Sequence, residues 1–514
     1  MKNESNFNQV LKFFVKSSFI LFIGLFLSKI FTYLYRVILA RNFGQEDYGL
    51  FSLAVIVANL FVAVLSLGLQ GGLIRYISLY RGKKENEKIK SIIRFSLTAT
   101  LITSFIGAGV LFFFSDIIAT TFFHNLELAI FLRWFAIFIP IMLFSGLFHC
   151  IVLAYEKIGW YSFIGNILNP LSQLLLLVFF ILLGLNTEAI TLSYNMSFVF
   201  MLLTAFLVCK LGIKTIFEKP NLKKEEIKEV NRKLFSYSWP LIFSGLISYF
   251  FSSIDSFLIG YFKSISDVGI YNAAVPIALF LLVAPTFFLQ LFLPIITKEY
   301  SQNNNQLISK LSKQLSKWIF IFNLPLLIIL LLFPGAVINI LFGAEYIEAG
   351  NALRFLSLGA FFYSLFQISD NLLFMVGKSK RILINLIIAT GVGILLNFLL
   401  IPRYGINGAA FSTMTGYFVW GILSVITARH YTYIIPLKRD MIKIFFISLI
   451  PTLSLLYIRS KIVLTPSKIL ILGISFLVVY FGLIIITRCL DKNDLMILSA
   501  IKKKLKNQIP SQKK

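Results

Sequence analysis

The sequence predicts an all-α integral membrane protein with about 14 transmembrane helices, arranged as two parallel six-helix bundles around a central cavity plus two extra C-terminal helices. Three observations predict this fold: the composition, a series of long apolar stretches and an internal repeat. Of the 514 residues, 58% are hydrophobic and only 14% are charged, which is too little polar surface for a soluble protein of this length. Most of the chain is therefore expected to face lipid or other helices.

The apolar stretches are long enough to cross a membrane as helices, because the hydrocarbon core is about 30 Å thick and needs about 20 residues. The loops predicted outside are short and leave no room for an external catalytic domain. The first stretch has no small-residue cleavage site before Arg41, so it is interpreted as an uncleaved span and not as a signal peptide. The predicted spans are 17–40, 48–70, 91–114, 129–153, 160–184, 189–212, 237–262, 270–296, 317–342, 350–376, 382–401, 406–428, 441–458 and 467–487.

The basic residues predict the orientation. With a cytoplasmic amino terminus, the inside segments hold 38 of the 48 Lys and Arg residues, the outer loops hold six and the spans hold four. This asymmetry is the positive-inside pattern, so both termini are expected to be cytoplasmic in the cell membrane. The net charge of +26 is accordingly attributed to contacts of runs such as 81–84 and 502–504 with anionic membrane lipids, and not to nucleic acid.

The spans and loops divide the chain into five parts. Residues 1–212 are expected to form the N-terminal six-helix bundle, 213–236 a cytoplasmic amphipathic linker and 237–428 the C-terminal six-helix bundle. Residues 429–490 hold the two additional transmembrane helices, and 491–514 form a basic cytoplasmic tail. The linker and residues 494–505 each place apolar side chains on one helical face, which is typical of a helix lying at the membrane surface.

The two halves of the chain resemble each other at a fixed offset. At +220, Asp47 corresponds to Asp267 and Gly49 to Gly269, and at +221 the pairs include Arg133 with Arg354, Lys157 with Lys378 and Gly184 with Gly405. Each repeat contains six spans, so both have the same orientation in the membrane. Parallel repeats of this kind are related by an axis along the membrane normal and flank a central cavity.

Charged residues within spans are the first candidates for function, because a charge in the bilayer is costly unless it faces a cavity or a partner. Arg36 and Asp255 are expected on opposite bundles, since Asp255 corresponds to Tyr35 in the repeat, and they are predicted to pair across the axis. A bridge that only locks the bundles together is the alternative. The full set of expected cavity residues is Lys29, Arg36, Arg133, Asp255 and Arg354.

Several of these candidates have a second interpretation. Arg133 and Arg354 begin their spans and could instead reach the lipid headgroups. His149 and Asp370 correspond at +221 and are expected either to form interhelical hydrogen bonds or to serve as sites of ion coupling.

The charges favour an anionic amphiphile as substrate. The spans hold four cations against two carboxylates, which gives the cavity a positive field, and Arg can bind phosphate oxygens in a bidentate manner. An inside-negative potential would help to move such a headgroup outward. No cofactor or metal is expected, because there is no Gly-rich nucleotide loop and the His and Cys residues lack metal-ligand spacing.

Segment 39–51, LARNFGQEDYGLF, resembles the opening of the O-antigen and polysaccharide (Wzx-like) flippases. These belong to the multidrug/oligosaccharidyl-lipid/polysaccharide exporter superfamily. Further motifs follow in the family's order: Gly68-Leu69, Arg75-Tyr76, Ile254-Asp255 with Gly260, Gly269-Ile270-Tyr271, Gly377-Lys378 and 404–410, YGINGAA. Arg41, Asp47 and Asp267 lie in the outer loops of these motifs and are expected to contribute to an outer gate.

The resemblance implies a flippase that moves polyprenyl-pyrophosphate-linked oligosaccharide to the outer leaflet by alternating access for polysaccharide or glycan biosynthesis, with glycan polymerases or transferases as further partners. One alternative is a lipid II or sporulation-type flippase, favoured by the cationic first span.

A drug or cation antiporter of the same superfamily is a less favoured alternative, because it would be expected to bury more carboxylates than this sequence does. A membrane glycosyltransferase or polymerase would need an acidic metal site, whereas Glu46-Asp47 lies in a loop too short to supply one.

Overall fold

The computed structural model describes residues 2–213, 217–461, 466–487 and 489, and every regular element within them is helical. The helices of the N-terminal half are α1 Lys2–Leu65, α2 Leu69–Gly82, α3 Asn86–Phe113, α4 Ser115–Phe123, α5 Glu127–Ala154, α6 Ile158–Ser162, a π-helix Phe163–Leu168, α7 Asn169–Leu182 and α8 Glu188–Gly212. Those of the C-terminal half are α9 Lys224–Phe262, α10 Ile265–Leu279, a 3₁₀ turn Phe280–Leu282, α11 Val283–Ser301, α12 Asn305–Leu332, α13 Pro334–Leu341, a 3₁₀ helix Ala344–Ala349, α14 Gly350–Met375, α15 Ser379–Thr432, α16 Asp440–Lys461 and α17 Pro466–Ile486.

Two of these helices are hairpins of two spans. The backbone of α1 breaks at Gly44 (φ 82°, ψ −175°), and the rings of Tyr35 and Phe51 lie 5.9 Å apart although a straight helix would separate them by about 24 Å. The backbone of α15 breaks at Gly405 (φ 55°, ψ −134°). Glycine suits both turns because it adopts positive φ without steric cost.

The described residues contain eleven helices that are long and apolar enough to cross a membrane, and α1 and α15 are two of them. Residues Ile471–Ile486 of α17 form a shorter apolar helix. The all-α membrane fold predicted from the sequence is therefore confirmed. The number of fourteen crossings stays a prediction, as does the basic tail 491–514, which lies outside the described residues together with the helix expected at 494–505.

The predicted element boundaries differ from the observed ones in two ways. The span expected at 48–70 is interrupted between α1 and α2, where Leu67 and Gly68 both have positive φ. The linker expected at 213–236 is not a separate helix, because α9 continues without a break from Lys224 into the membrane. Val230 and Leu234 of this first part are buried, so its apolar face packs against the protein.

Backbone conformation supports the internal repeat. Glu156 and Gly377, which are 221 residues apart, both have positive φ (59° and 71°). Gly184 and Gly405, also 221 residues apart, have φ of 79° and 55°. The turns that end equivalent helices therefore have a residue of positive φ at the same position in both halves.

The two last helices pack on the C-terminal half through α12. The Tyr480 hydroxyl donates to the Ile321 carbonyl at 3.1 Å, and Arg459 Nη1 donates to the Leu332 carbonyl at 2.7 Å. These helices thus lie on the outside of a bundle, away from the cavities that lie between the two halves.

Candidate functional site

A cavity of about 480 Å³, here called the polar cavity, lies between the two halves. Arg36 and Asp255 both line it, the first from the N-terminal half and the second from the C-terminal half. The lining otherwise consists of uncharged side chains, many of them hydroxyl, amide or phenol groups. It comprises Ser28, Thr32, Tyr35, Arg36, Phe51, Ser52, Val55, Ile56, Asn59, Gly165, Asn169, Pro170, Gln173, Tyr194, Tyr249, Ser252, Ser253, Asp255, Ser256, Tyr271, Asn272, Val275 and Leu279.

A second cavity of about 500 Å³, here called the apolar cavity, adjoins the first. The two share Thr32, Arg36, Val275 and Leu279. Lys29 and Arg36 are the charged residues of its lining, and the rest is mainly aliphatic and aromatic, supplied by α1, α10, α12 and α13. Arg36 therefore lies where a polar compartment meets an apolar one.

The position of Arg36 is fixed by a contact across the Gly44 turn. Its Nη1 donates to the Tyr48 hydroxyl at 3.3 Å, and that hydroxyl donates to the Asn272 carbonyl of α10 at 3.0 Å. Tyr48 is fully buried. Arg36 is consequently positioned by both halves of the protein while most of its guanidinium donors stay available to a ligand.

Asp255 does not form the predicted ion pair with Arg36. Its Oδ2 accepts hydrogen bonds from the Tyr271 hydroxyl at 2.5 Å and from Thr413 Oγ1 at 2.7 Å. Both donors belong to the same bundle as Asp255, so they satisfy the carboxylate locally. The two charges line one cavity, as expected, but they are separate in this structure.

The repeat relates this acidic site to an uncharged one. In the N-terminal half, the Tyr35 hydroxyl lies 3.3 Å from Ser193 Oγ and its ring packs against Phe51. Adding 220 to Tyr35 and Phe51 gives Asp255 and Tyr271, which are joined by a hydrogen bond. The same pair of positions is thus an aromatic contact in one half and a hydrogen bond between a phenol and a carboxylate in the other.

Oxygen atoms also surround a narrow pocket behind Asp255, of about 10 Å³. Its lining includes Thr390, Asn397, Ser412 and Thr413, and Asn397 Oδ1 has no hydrogen-bond partner. A space of this size suits one water molecule or one small hard cation. No group of three or more His, Cys, Asp or Glu residues that could hold a metal occurs in the part of the chain the structure describes.

Arg133 and Arg354 were expected in the cavity, and the structure places them elsewhere. Arg133 Nη2 lies 2.6 Å from Asp116 Oδ2. Arg354 donates to the Leu331 carbonyl at 3.0 Å and to Asn351 Oδ1 at 2.7 Å. Neither lines the two cavities. Both lie in the first two turns of their helices and bind neighbouring polar groups there, so the alternative of a position near the membrane surface fits better.

His149 and Asp370 also lie outside the two cavities. His149 Nε2 is 2.9 Å from the Tyr161 carbonyl, and the two rings stack at 4.1 Å, so this side chain has the interhelical role that the sequence left open. Asp370 is buried and its Oδ1 has no hydrogen-bond partner. The structure therefore gives Asp370, and not His149, an incompletely satisfied side chain.

The end of the molecule predicted to be extracytoplasmic is closed. Arg41 donates to the Leu341 carbonyl at 2.8 Å and to the Ile340 carbonyl at 2.5 Å, which joins the halves at the last turn of α13. A methyl group at Gly49 would lie 2.0 Å from the Ile265 oxygen, and one at Gly269 would lie 2.0 Å from the Gln45 oxygen. Backbone thus touches backbone here, and only glycine permits it.

The other two expected gate residues contribute less to this closure. Asp267 Oδ2 accepts from the amide and hydroxyl of Ser264 at 3.1 and 2.6 Å, which forms the capping box that begins α10. Asp47 makes no side-chain hydrogen bond or ion pair with the described residues. Asp267 is therefore a helix-capping residue, and of the three only Arg41 hydrogen-bonds across the closed end, among the residues that the structure describes.

Sequence analysis missed the uncharged polar residues of the cavity, chiefly Asn169, Gln173, Tyr194 and Tyr249. Asn169 and Gln173 are four residues apart and therefore lie on one face of their helix. That spacing was the available signal, because two amides on one face of an apolar span need a polar environment or a partner.

The fold and the site define a transporter class: two helical bundles enclose a cavity in the membrane and are closed against each other at one end. The chain belongs to the family described as polysaccharide biosynthesis protein, which matches residues 14–298. The MatE family also matches residues 240–399. The predicted relationship to the polysaccharide flippases of the superfamily is thereby confirmed.

Relatives align over most of the chain. An uncharacterised membrane protein of Methanocaldococcus jannaschii is 26% identical over 90% of this chain and 92% of its own length. A putative O-antigen transporter of Shigella flexneri is 25% identical over 73% of this chain and 88% of its own. Among solved structures, the lipid II flippase MurJ in an inward closed conformation has a TM-score of 0.71 at 16% identity, covering 91% of this chain and 99% of that one, which shows a shared fold.

Proposed function

We propose that this protein is a flippase that moves polyprenyl-(pyro)phosphate-linked oligosaccharide from the cytoplasmic to the outer leaflet by alternating access. The observation that carries the proposal is the position of Arg36 at the junction of the polar and apolar cavities. A lipid-linked sugar has the same arrangement of parts, since its phosphate joins a hydrophobic chain to a hydrophilic glycan. The name of the Shigella relative, a putative O-antigen transporter, supports the same substrate class.

The chemistry of each compartment fits one part of such a substrate. The apolar cavity would take the isoprenoid units nearest the phosphate, and Ile30, Leu34 and Phe280 on its lining are exposed, so the remainder of the chain could stay in lipid. Lys29 and Arg36 would bind the phosphate oxygens. The hydroxyl, amide and phenol groups of the polar cavity would bind the sugars.

The orientation follows from the charge asymmetry: both termini are cytoplasmic and the Arg41 end is extracytoplasmic. With that end closed, substrate enters from the inner leaflet, and opening of the outer contacts releases it. The boundaries of the five parts, at residues 212, 236, 428 and 490, belong to this proposal. The proposed transport uses no cofactor and no covalent step. Anionic lipids and glycan-assembly enzymes are the expected partners of the protein.

The decisive experiment uses purified protein in liposomes that contain a polyprenyl-pyrophosphate-linked oligosaccharide with a labelled glycan. Transport is read as the fraction of glycan that becomes accessible to a membrane-impermeant oxidant or glycosidase. The proposal predicts transfer that Arg36→Ala lowers by about tenfold or more and that Arg133→Ala leaves unchanged. Equal accessibility in protein-free and protein-containing liposomes would overturn it.

A lipid II or sporulation-type flippase is the second candidate, and the cationic first span with Lys29 and Arg36 favours it. The same assay with lipid II as the substrate separates the two. Faster transfer of lipid II than of a pentapeptide-free oligosaccharide would make it the better assignment. Detection of sugar transfer to an acceptor by the purified protein would instead favour a membrane glycosyltransferase.

A further inference from the structure

One wall of the polar cavity contains a break in regular helical hydrogen bonding. Residues Phe163–Leu168 form a π-helix, and the Asn169 amide donates to the Ile164 carbonyl, five residues back. Pro170 follows and has no N–H. The Gly165 carbonyl is therefore left without a donor from its own helix, because the amide four residues on is used for Ile164 and the residue five on is proline. Gly165 and Pro170 both line the polar cavity.

On the same wall, the side-chain amide of Gln173 is positioned by a hydrogen bond through its nitrogen, and its oxygen accepts no hydrogen bond from the described residues. Gln173 Nε2 donates to Asn169 Oδ1 at 2.8 Å, and Asn169 Nδ2 contacts Met201 Sδ at 3.1 Å. The first bond assigns the Gln173 amide nitrogen to the Asn169 side and the amide oxygen to the opposite side. Its Oε1 accepts no hydrogen bond from the described residues, and Gln173 lines the cavity. The wall thus presents two fixed acceptors, Gly165 O and Gln173 Oε1.

The charge of the surroundings restricts what these acceptors can bind. Arg36 and Asp255 are the charged side chains in the lining of the polar cavity, and the carboxylate of Asp255 already accepts two hydrogen bonds. If Arg36 binds a phosphate, the polar cavity lining contains no other basic side chain that could pair with a second anionic group. A carboxylate placed there would be buried without a counter-charge, which is costly, whereas hydroxyl or acetamido groups would donate to the free acceptors.

We infer that the wall formed by Gly165, Pro170 and Gln173 is the subsite for the sugar nearest the phosphate, and that it selects an uncharged sugar over a uronic acid. The inference rests on the proposed function, because it assumes that Arg36 binds the phosphate of the same molecule. The π-turn and Pro170 supply the backbone acceptor, and the Asn169–Gln173 hydrogen bond supplies the side-chain acceptor.

The test measures binding to purified protein in lipid nanodiscs with three probes: polyprenyl phosphate without sugar, polyprenyl pyrophosphate carrying N-acetylglucosamine, and the same lipid carrying glucuronic acid. Wild-type protein should bind the N-acetylglucosamine lipid about tenfold more tightly than the glucuronic acid lipid, as expected for one unmade buried hydrogen bond or more. Gln173→Leu should remove that preference and leave binding of the sugar-free lipid unchanged. That unchanged binding also shows that the variant is folded.

Two further variants make the test independent of one substitution. Pro170→Ala restores a backbone N–H that can occupy the free carbonyl, so it should weaken binding of the N-acetylglucosamine lipid severalfold without affecting the sugar-free lipid. Gln367→Leu is the matched control, since Gln367 lies in α14 and lines neither cavity, and it should behave as wild type.

The outcomes distinguish this inference from the proposed function. If wild-type protein binds none of the three lipids, the proposed function fails. If it binds all three and neither Gln173→Leu nor Pro170→Ala changes the preference between the two sugars, the sugar subsite lies elsewhere and the inference is overturned while the function stands. Tighter binding of the glucuronic acid lipid than of the N-acetylglucosamine lipid would overturn it as well.

Discussion

Arg36 and Asp255 line one cavity from opposite halves of the protein, and they do not bind each other. Each forms hydrogen bonds with other residues. Arg36 donates to Tyr48, whereas Asp255 accepts from Tyr271 and Thr413. Because the carboxylate is already satisfied, it does not neutralise the guanidinium, and the cavity keeps a cation with unused donors. In the proposed function, this separation leaves Arg36 to bind the anionic part of the substrate.

Removal of that cation should disable transport. Arg36→Ala is expected to lower the transfer of lipid-linked oligosaccharide in liposomes by about tenfold or more, because charge-assisted hydrogen bonds contribute about 1.5–3 kcal/mol. Arg36→Lys should retain part of the activity, since an ammonium supplies the charge without the bidentate geometry. Arg133→Ala is the control, as Arg133 pairs with Asp116 outside the cavity. Equal losses for Arg36→Ala and Arg133→Ala would contradict a cavity role.

Substitutions at Asp255 should separate hydrogen bonding from charge. Asp255→Ala leaves the hydroxyls of Tyr271 and Thr413 without their acceptor in a buried site, which should cost about 1–3 kcal/mol of stability. Asp255→Asn keeps an acceptor oxygen and should cost clearly less. Thermal unfolding in detergent measures both. If the two variants unfold at the same lowered temperature, the negative charge itself, and not the pair of hydrogen bonds, stabilises this site.

The outer closure should be sensitive to a single methyl group. A Cβ at residue 269 would lie 2.0 Å from the Gln45 carbonyl oxygen, so Gly269→Ala is expected to disfavour the closed contact and shift the protein toward an outward-open state. Labelling of Ser252→Cys, in the polar cavity, by a membrane-impermeant maleimide from outside should then increase. Gly109→Ala is the control because nothing lies near its added methyl. Unchanged labelling at normal abundance would show that the contact is not the gate.

An inside-negative membrane potential should accelerate outward transfer. Each negative charge moved across the whole field gains about 2.3 kcal/mol per 100 mV, so a dianionic headgroup should respond strongly. Liposomes with a potassium gradient and an ionophore allow the potential to be set at either sign. Transfer rates that do not depend on the potential would mean that the headgroup charge is neutralised during transport.

The sequence predicted the helices and a cavity shared by both halves, but it predicted only some of the residues that line this cavity. Arg36 and Asp255 were found because charges in apolar spans are costly and their repeat positions bring them to one axis. Arg133 and Arg354 were misplaced, since a charge near a helix end can also face the membrane surface. Asn169 and Gln173 were missed because lipid-facing and helix-facing sides of a span are both apolar, so periodicity does not identify the side that meets a cavity.

The ion pair could not be predicted correctly for a related reason. One donor to Asp255, Tyr271, comes from the next helix, but the other, Thr413, lies 158 residues away in the second half of α15. The repeat held part of the necessary information, because Tyr35 and Phe51 are in contact and are the counterparts of Asp255 and Tyr271. That information required knowing which helices touch within one bundle.

The contact of Gly49 with Ile265 and that of Gly269 with Gln45 are the same contact made twice, since each residue of one pair lies 220 positions from a residue of the other. Such mutual matching is the hallmark of an interface between two identical subunits. The two halves of this chain thus meet along the seam as two identical subunits would. The seam is symmetric in the present chain, whereas the equivalent positions 35 and 255 carry Tyr and Asp, so different residues set the contact between the halves and the chemistry of the cavity.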